Sequence, residues 1–303
     1  MIPAQFDYLA PESIEEALSL LSQHGDDAKL LAGGQSLFPM MKLRLAAPSY
    51  LIDLGRVPGL TGINTPEVAQ EAATTPLGAG GPFLTIGAMT RYYEIEDSSL
   101  VRSSCPLLAQ TAAVVADVQV RNQGTIGGSL AHADPTGDMP AAVLALGAEL
   151  KAVGSGGERW VRSEDFFTGF FTTELADDEI LSEVRVPVLD GWTSSYLKAA
   201  PRAAGFAVAG VAVCLRTRPD RSCDEIRIAV TGVTDKPYRA YDVEDALRGQ
   251  RLDDSRIDDA VRIVTDGLWI ADDVRASAAY RAHLAQVYTG RAVRAAREVA
   301  PIA

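Results

Sequence analysis

Two glycine pairs constrain this chain more than any other feature of it. The first stands in Ala32-Gly33-Gly34-Gln35-Ser36-Leu37, directly after the short buried strand expected at Lys29-Leu30-Leu31-Ala32. The second stands in Thr125-Ile126-Gly127-Gly128-Ser129, directly after an Arg121-Asn122-Gln123-Gly124 turn. A glycine pair at the end of a strand lets the backbone come within hydrogen-bonding distance of a ligand, because no Cβ intervenes and positive φ is accessible. Successive N–H groups then converge into an anion nest, and the hydroxyls of Ser36, Thr125 and Ser129 add donors. Either pair alone reads as an ordinary turn. Two of them, each in a strand, glycine pair and hydroxyl context, predict a ligand with two phosphates, such as a dinucleotide.

The chain has 303 residues, more than one typical domain of roughly 100–200, so two domains are expected. Ser13 caps a helix whose apolar face is Ile14, Ala17, Leu18 and Leu21, with Gly25 stopping it. Short strands follow at 50–54 and 84–88, and 66–82 reads as an exposed loop or hairpin tip. Helices are expected over 106–115 and 141–146. The character changes near Asp177-Asp178-Glu179: strands at 180–186, 194–198, 207–217 and 225–233 precede helical runs from Val243, Arg256 and Ser277. The boundary is placed at 177, giving units 1–176 and 177–303, the second an α+β layer with helices on one face.

A net charge of −12 repels phosphate backbones and anionic lipid heads, which excludes nucleic acid and membrane surfaces as partners. Cys105, Cys214 and Cys223 are too few for a disulfide framework, which fits a reducing, cytoplasmic compartment. They are also too few for one four-thiolate iron–sulfur cluster, and His24, His132 and His283 show no zinc-ligand spacing; any redox metal belongs to another chain. The start of the chain has neither the basic region nor the apolar run of a signal peptide. The most apolar stretch, 206–215, is half of what a bilayer span needs, and no membrane span is expected.

The common nucleotide fingerprints fail. No G-x-x-x-x-G-K-[ST] occurs, and Gly78-Ala79-Gly80-Gly81-Pro82-Phe83 lacks the last glycine of G-x-G-x-x-G and precedes a strand. There is no G-x-S-x-G elbow. Asp134 and Asp138, four apart, read best as the start of a helix at Pro140, with Asp138 capping it or accepting from a ligand hydroxyl.

Taken together, 32–37 followed by Pro39-Met40-Met41-Lys42-Leu43-Arg44, then 125–129, then Asp134-Pro135-x-x-Asp138-x-Pro140, resemble the FAD-binding medium subunit of molybdenum hydroxylases, the family of carbon monoxide dehydrogenase and xanthine dehydrogenase flavoproteins. The resemblance covers nearly the whole chain, including Asp178-Glu179-Ile180-Leu181, Tyr196-Leu197-Lys198 and 276–284. It implies an α+β architecture: a two-part FAD-binding domain of the vanillyl-alcohol-oxidase type, then a smaller α+β domain with a three-stranded antiparallel sheet and helices. It also implies that Ala32, Gly33, Gly34, Gln35, Ser36 and Leu37, with Thr125, Ile126, Gly127, Gly128 and Ser129, bind the pyrophosphate of FAD. By the same resemblance Lys29 lies near the adenine end, Asp138 contacts the cofactor, Ile180 and Leu181 pack beside it, and Lys198 stands close to the flavin ring. A positive charge there stabilises the anionic reduced ring and raises its potential. Gln35 stands where some relatives carry His, and Ser129 where others carry Asp or Asn; both keep a hydrogen-bonding side chain, and neither singles out carbon monoxide oxidation.

The implied function is electron transfer. Substrate is oxidised at a molybdenum cofactor in a large subunit, two [2Fe-2S] clusters in a small subunit relay the electrons, and non-covalent FAD in this chain delivers them to an external acceptor. The implied assembly is a dimer of heterotrimers. Two rivals stand beside this: a stand-alone FAD oxidoreductase of the same fold, and a non-catalytic nucleotide-binding assembly subunit.

Overall fold

A computed structural model describes residues 2–68, 81–201 and 205–299. The first part is a small layer of β1 (Asp7–Leu9), α1 (Ile14–His24), β2 (Ala28–Leu31), α2 (Leu37–Lys42) and β3 (Tyr50–Asp53). Ser13 caps α1 by accepting from the Glu16 N–H, and Gly25 ends it at φ +50°. The strands run in the order β1-β3-β2, all parallel, and Ala17 and Leu21 of α1 cover Ile52 and Leu54 in a small core.

The second part opens with the hairpin β4 (Ile63–Val68) and β5 (Pro82–Gly87); most of the loop expected over 66–82, residues 69–80, lies outside the described residues. Six helices follow: α3 (Tyr92–Asp97), α4 (Ser99–Ser104), α5 (Pro106–Val114), α6 (Val118–Arg121), α7 (Ile126–His132) and α8 (Asp138–Leu146). Every residue of α8 is buried, as expected of a helix that is apolar all round. Then come β6 (Glu149–Gly154), β7 (Gly157–Arg162), α9 (Ser163–Phe166), the short hairpin β8 (Phe167–Gly169) and β9 (Thr172–Thr173), and β10 (Ile180–Pro187). The sheet order is β4-β5-β10-β6-β7, antiparallel throughout.

β10 therefore sits in the middle of this sheet, and the boundary expected at 177 moves: the change of sheet falls after Pro187. The acidic run before β10 is part of the sheet's rim and not a linker. Glu179 pairs with Arg159 of β7 at 2.7 Å and accepts from the Ala176 N–H at 2.8 Å.

The third part holds β11 (Thr193–Ala199), β12 (Ala209–Thr217), β13 (Cys223–Thr231) and β14 (Tyr238–Arg239), antiparallel in that order, then α10 (Tyr241–Leu247), α11 (Asp254–Ala260) and α12 (Ala278–Val299). To the three strands expected, the structure adds the two-residue β14 at the edge. β12 is apolar from Ala209 to Leu215 because both its faces are covered. Val211, Val213 and Leu215 enter the core under α12, while Ala212 and Cys214 enter the core of the preceding part. A second joint closes beside it. The Thr231 hydroxyl reaches the carbonyls of Pro135 (2.8 Å) and Gly137 (2.9 Å), and the Gly232 N–H donates to Pro135 at 2.7 Å. The buried Arg281 donates to the carbonyls of Val208 and Gly232 and pairs with Asp273. Among the described residues no helix is long and apolar enough to cross a membrane.

Candidate functional site

The two glycine segments meet. A Cβ on Gly33 would fall on the carbonyl of Gln123 and 2.8 Å from the Gly124 Cα, while one on Gly128 would lie 3.2 Å from the Ala32 Cβ and 2.7 Å from Thr125 Oγ1. A Cβ on Gly127 would strike Ala88. These three glycines are dictated by chain packed against chain. Gly34 is the one member of the two pairs with positive φ, +71°, and a Cβ there would strike the Phe38 ring.

The second pair corrects an expectation. Gly127 and Gly128 are not in a loop after a strand but in the first turn of α7, because Thr125, extended at φ −115°, caps the helix through its side chain. Their N–H groups are taken up internally: Ile126 donates to Thr90, Gly127 to Ala88, Gly128 to Thr125 Oγ1 at 3.1 Å and Ser129 to the Thr125 carbonyl. No second backbone nest exists there. What this segment offers is side-chain chemistry: the Thr125 hydroxyl, which accepts from Gly128 and keeps its own proton to donate, and the Ser129 hydroxyl. The first pair differs in this respect. The N–H groups of Gly34, Gln35 and Ser36 meet no acceptor among the described residues, and the Gln35 and Ser36 side chains are exposed.

Asp138 is the first residue of α8, with Gly137 at the cap position, so it caps nothing. Its carboxylate is 6% exposed and is bound from the third part of the chain: Oδ1 accepts from the Tyr196 hydroxyl at 2.6 Å, and Oδ2 pairs with Lys198 Nζ at 3.0 Å. Lys198 also donates to the Val114 carbonyl at 2.7 Å. Tyr196 and Lys198 are two apart on β11 and so share a face. Room for the tyrosine hydroxyl comes from Gly210, opposite Lys198 on β12, where a Cβ would strike it. Burial pushes the Asp138 carboxyl above the usual carboxylate range, against the pull of the Lys198 ammonium and the Tyr196 hydroxyl. Burial, then the charge of Asp138, pushes the Tyr196 phenol up as well.

The remaining expected residues divide. Leu37 opens α2 beside the first nest. Lys29 is exposed on β2. Leu181 is buried in the core that also holds Ile126 and Leu130 of the glycine helix, whereas its neighbour Ile180 enters the small core under α1. Tyr196, in the Tyr196-Leu197-Lys198 motif, carries no expected role; its spacing of two from Lys198 on a strand is the signal that points to it. Among the described residues no group of three or more His, Cys, Asp and Glu side chains could hold a metal ion, and all three cysteines are free and buried.

Comparison with known proteins bears on this arrangement. Residues 4–189 match the family described as the FAD binding domain in molybdopterin dehydrogenase, and 194–296 match the CO dehydrogenase flavoprotein C-terminal domain. The chain is 37% identical to the glyceraldehyde dehydrogenase medium chain of Sulfolobus acidocaldarius over 96% of its length and 98% of the relative's. It is 39% identical to the nicotine 6-hydroxylase medium subunit of Paenarthrobacter nicotinovorans, covering 94% and 95%. Among solved structures it superposes on a chain of carbon monoxide dehydrogenase from Hydrogenophaga pseudoflava with a TM-score of 0.91 and 39% identity, covering 99% of this chain and all of the other. With both family domains matched and nearly the whole length covered, the chain belongs to the FAD-binding medium subunits of the molybdenum hydroxylases, flavoprotein components of multi-subunit oxidoreductases.

Proposed function

We propose that this chain holds FAD non-covalently between the first glycine loop and the Asp138–Lys198 pair, and passes electrons from the [2Fe-2S] clusters of a small subunit to an external acceptor. The observation that carries the reading is three successive N–H groups, of Gly34, Gln35 and Ser36, that meet no acceptor among the described residues, on a loop whose Ala32 and Gly33 pack against the segment of Thr125 and Gly128. That set fits a pyrophosphate. Ala32, Gly33 and Leu37 shape the same loop, and Ile126 through Ser129 form its other wall. Lys198 supplies positive charge towards the ring, held by the Asp138 carboxylate, which Tyr196 braces, and by the Val114 carbonyl. Leu181 lines the apolar side, and Lys29 marks the adenine end. Bound there, FAD supplies redox chemistry that links pair-wise and single-electron carriers.

The large subunit in this reading carries the molybdenum cofactor, and the whole is a dimer of heterotrimers in the cytoplasm, where free thiols such as these three persist. The relatives are named for glyceraldehyde, nicotine and carbon monoxide, so substrate choice rests with the large subunit and not with this fold. The visible spectrum and acid extraction of the purified chain test the core of the proposal. Flavin absorbance with FAD released by acid is expected; a colourless protein, even after refolding with FAD, refutes it. Co-purification of two further chains with molybdenum and iron tests the assembly.

A further inference from the structure

The turn between α5 and α6, Val115-Ala116-Asp117, is gripped by cations from two directions. Lys198 Nζ donates to the Val114 carbonyl at 2.7 Å, and Arg121 Nη1 donates to the carbonyls of Val115 at 3.3 Å and Ala116 at 3.4 Å. Arg121 is fixed in turn by Glu96, Nε to Oε2 at 2.9 Å, with the two side chains only 18% and 28% exposed. The grip has a reason. Ala116 sits at φ +41°, a left-handed conformation that a residue with a Cβ rarely adopts and that persists only where its surroundings impose it. Three successive carbonyls directed at two cations impose it here.

The position of this turn matters as much as its strain. The segment starts at the carbonyl that Lys198 holds and ends at Gln123-Gly124, whose backbone lies against Gly33. It therefore spans from the Asp138–Lys198 pair to the phosphate loop, the two ends of the site. On the FAD reading, the ring that meets the Asp138–Lys198 pair lies next to the end of this segment that Lys198 holds. Val115, half-buried, and Val118, 60% exposed, give it apolar surface for a flat ring to cover.

We propose that Arg121, set by Glu96, is a positioning residue for the flavin ring: it holds the 115–117 turn as one wall of the site without touching the cofactor. This rests on the FAD reading above.

The test uses the full chain with Arg121→Lys, which keeps the charge but cannot serve Glu96 and two carbonyls together, with Arg121→Met, and with Glu96→Gln. Three quantities are measured: amide hydrogen exchange over 112–121 without flavin, the Kd for FAD, and the visible spectrum of the bound flavin. Faster exchange confined to that segment is expected in all three variants. FAD affinity should fall about tenfold in Arg121→Met and less in the other two, with an altered flavin band in each. A merely stabilising role would lower the melting temperature and leave the band unmoved. Wild-type affinity and spectrum in the variants, despite faster exchange, overturn the proposal; if Arg121→Met does not fold, Arg121→Lys and Glu96→Gln decide it. Failure of the wild-type chain itself to take up FAD overturns the underlying reading, and is told apart because no substitution is involved.

Discussion

The carbonyl of Gln123 occupies the space that a Cβ on Gly33 would need. The first glycine of the first pair is thus fixed by the neighbouring chain segment rather than by a ligand, and its replacement is a packing fault. Gly33→Ala should destabilise the flavin-free protein by about 1–3 kcal/mol, because the obstacle is backbone and cannot rotate away. Gly156→Ala, with nothing within 4 Å of its Cβ, is the matched control and should be near neutral. Urea unfolding of both variants checks this.

Lys198→Met leaves Asp138 buried with only the Tyr196 hydroxyl for company. Removing one partner of such a pair costs roughly 3–5 kcal/mol if the carboxylate stays charged, so it takes up a proton instead. The folded pKa, already above the ordinary 3.8, rises further. A carboxyl raised by folding contributes stability that is present below its unfolded value and lost as pH climbs through its folded value. Lys198→Met should therefore be more stable near pH 4 than at pH 7, and the double variant with Asp138→Asn should lose that slope. Unfolding free energies across this range decide it. In the flavin-loaded protein the same substitution should lower the flavin potential, read by redox titration.

Glu179 behaves in the opposite sense. Arg159, bonded to its carboxylate, holds the carboxyl below its ordinary 4.5, so folding is favoured above that pH and the gain is lost as pH falls through the lowered folded value. The pair is half open to water and worth no more than about 1 kcal/mol. Wild type should lose stability on acidification below 4.5 more steeply than Glu179→Gln, as measured by thermal unfolding at a series of pH values.

Arg281 is 1% exposed and donates to the carbonyls of Val208 and Gly232. Arg281→Met strands two buried acceptors, at about 1–3 kcal/mol each. Asp273, whose side chain is about half-exposed, adds less. The expected result is a drop in melting temperature that Arg281→Lys restores only in part, since one ammonium cannot reproduce the forked geometry.

Much of this was legible from residues alone where the signal is local. Ser13 and Gly25 bound α1, β12 reads as an apolar run, and the glycine pairs stand out by composition. What was not legible depends on pairing at a distance. Nothing local says that Ile180–Pro187 inserts between β5 and β6, so the acidic residues before it read as a domain boundary. The second glycine pair read as a loop because glycine is a poor helix former, yet the Thr125 cap and the press of Ala88 against Gly127 outweigh that preference. Asp138 read as a ligand contact because its two partners lie some sixty residues along the chain, on a strand whose register sequence does not reveal.

β12 has one further consequence. Its alternate residues belong to different cores, so neither core can be completed while the strand is absent from the other. The last hundred residues are not an appendage that can melt and leave a closed fold behind. Heat should take the chain apart in one cooperative step, and a protease able to open the C-terminal sheet would unseat α5 and α8 with it.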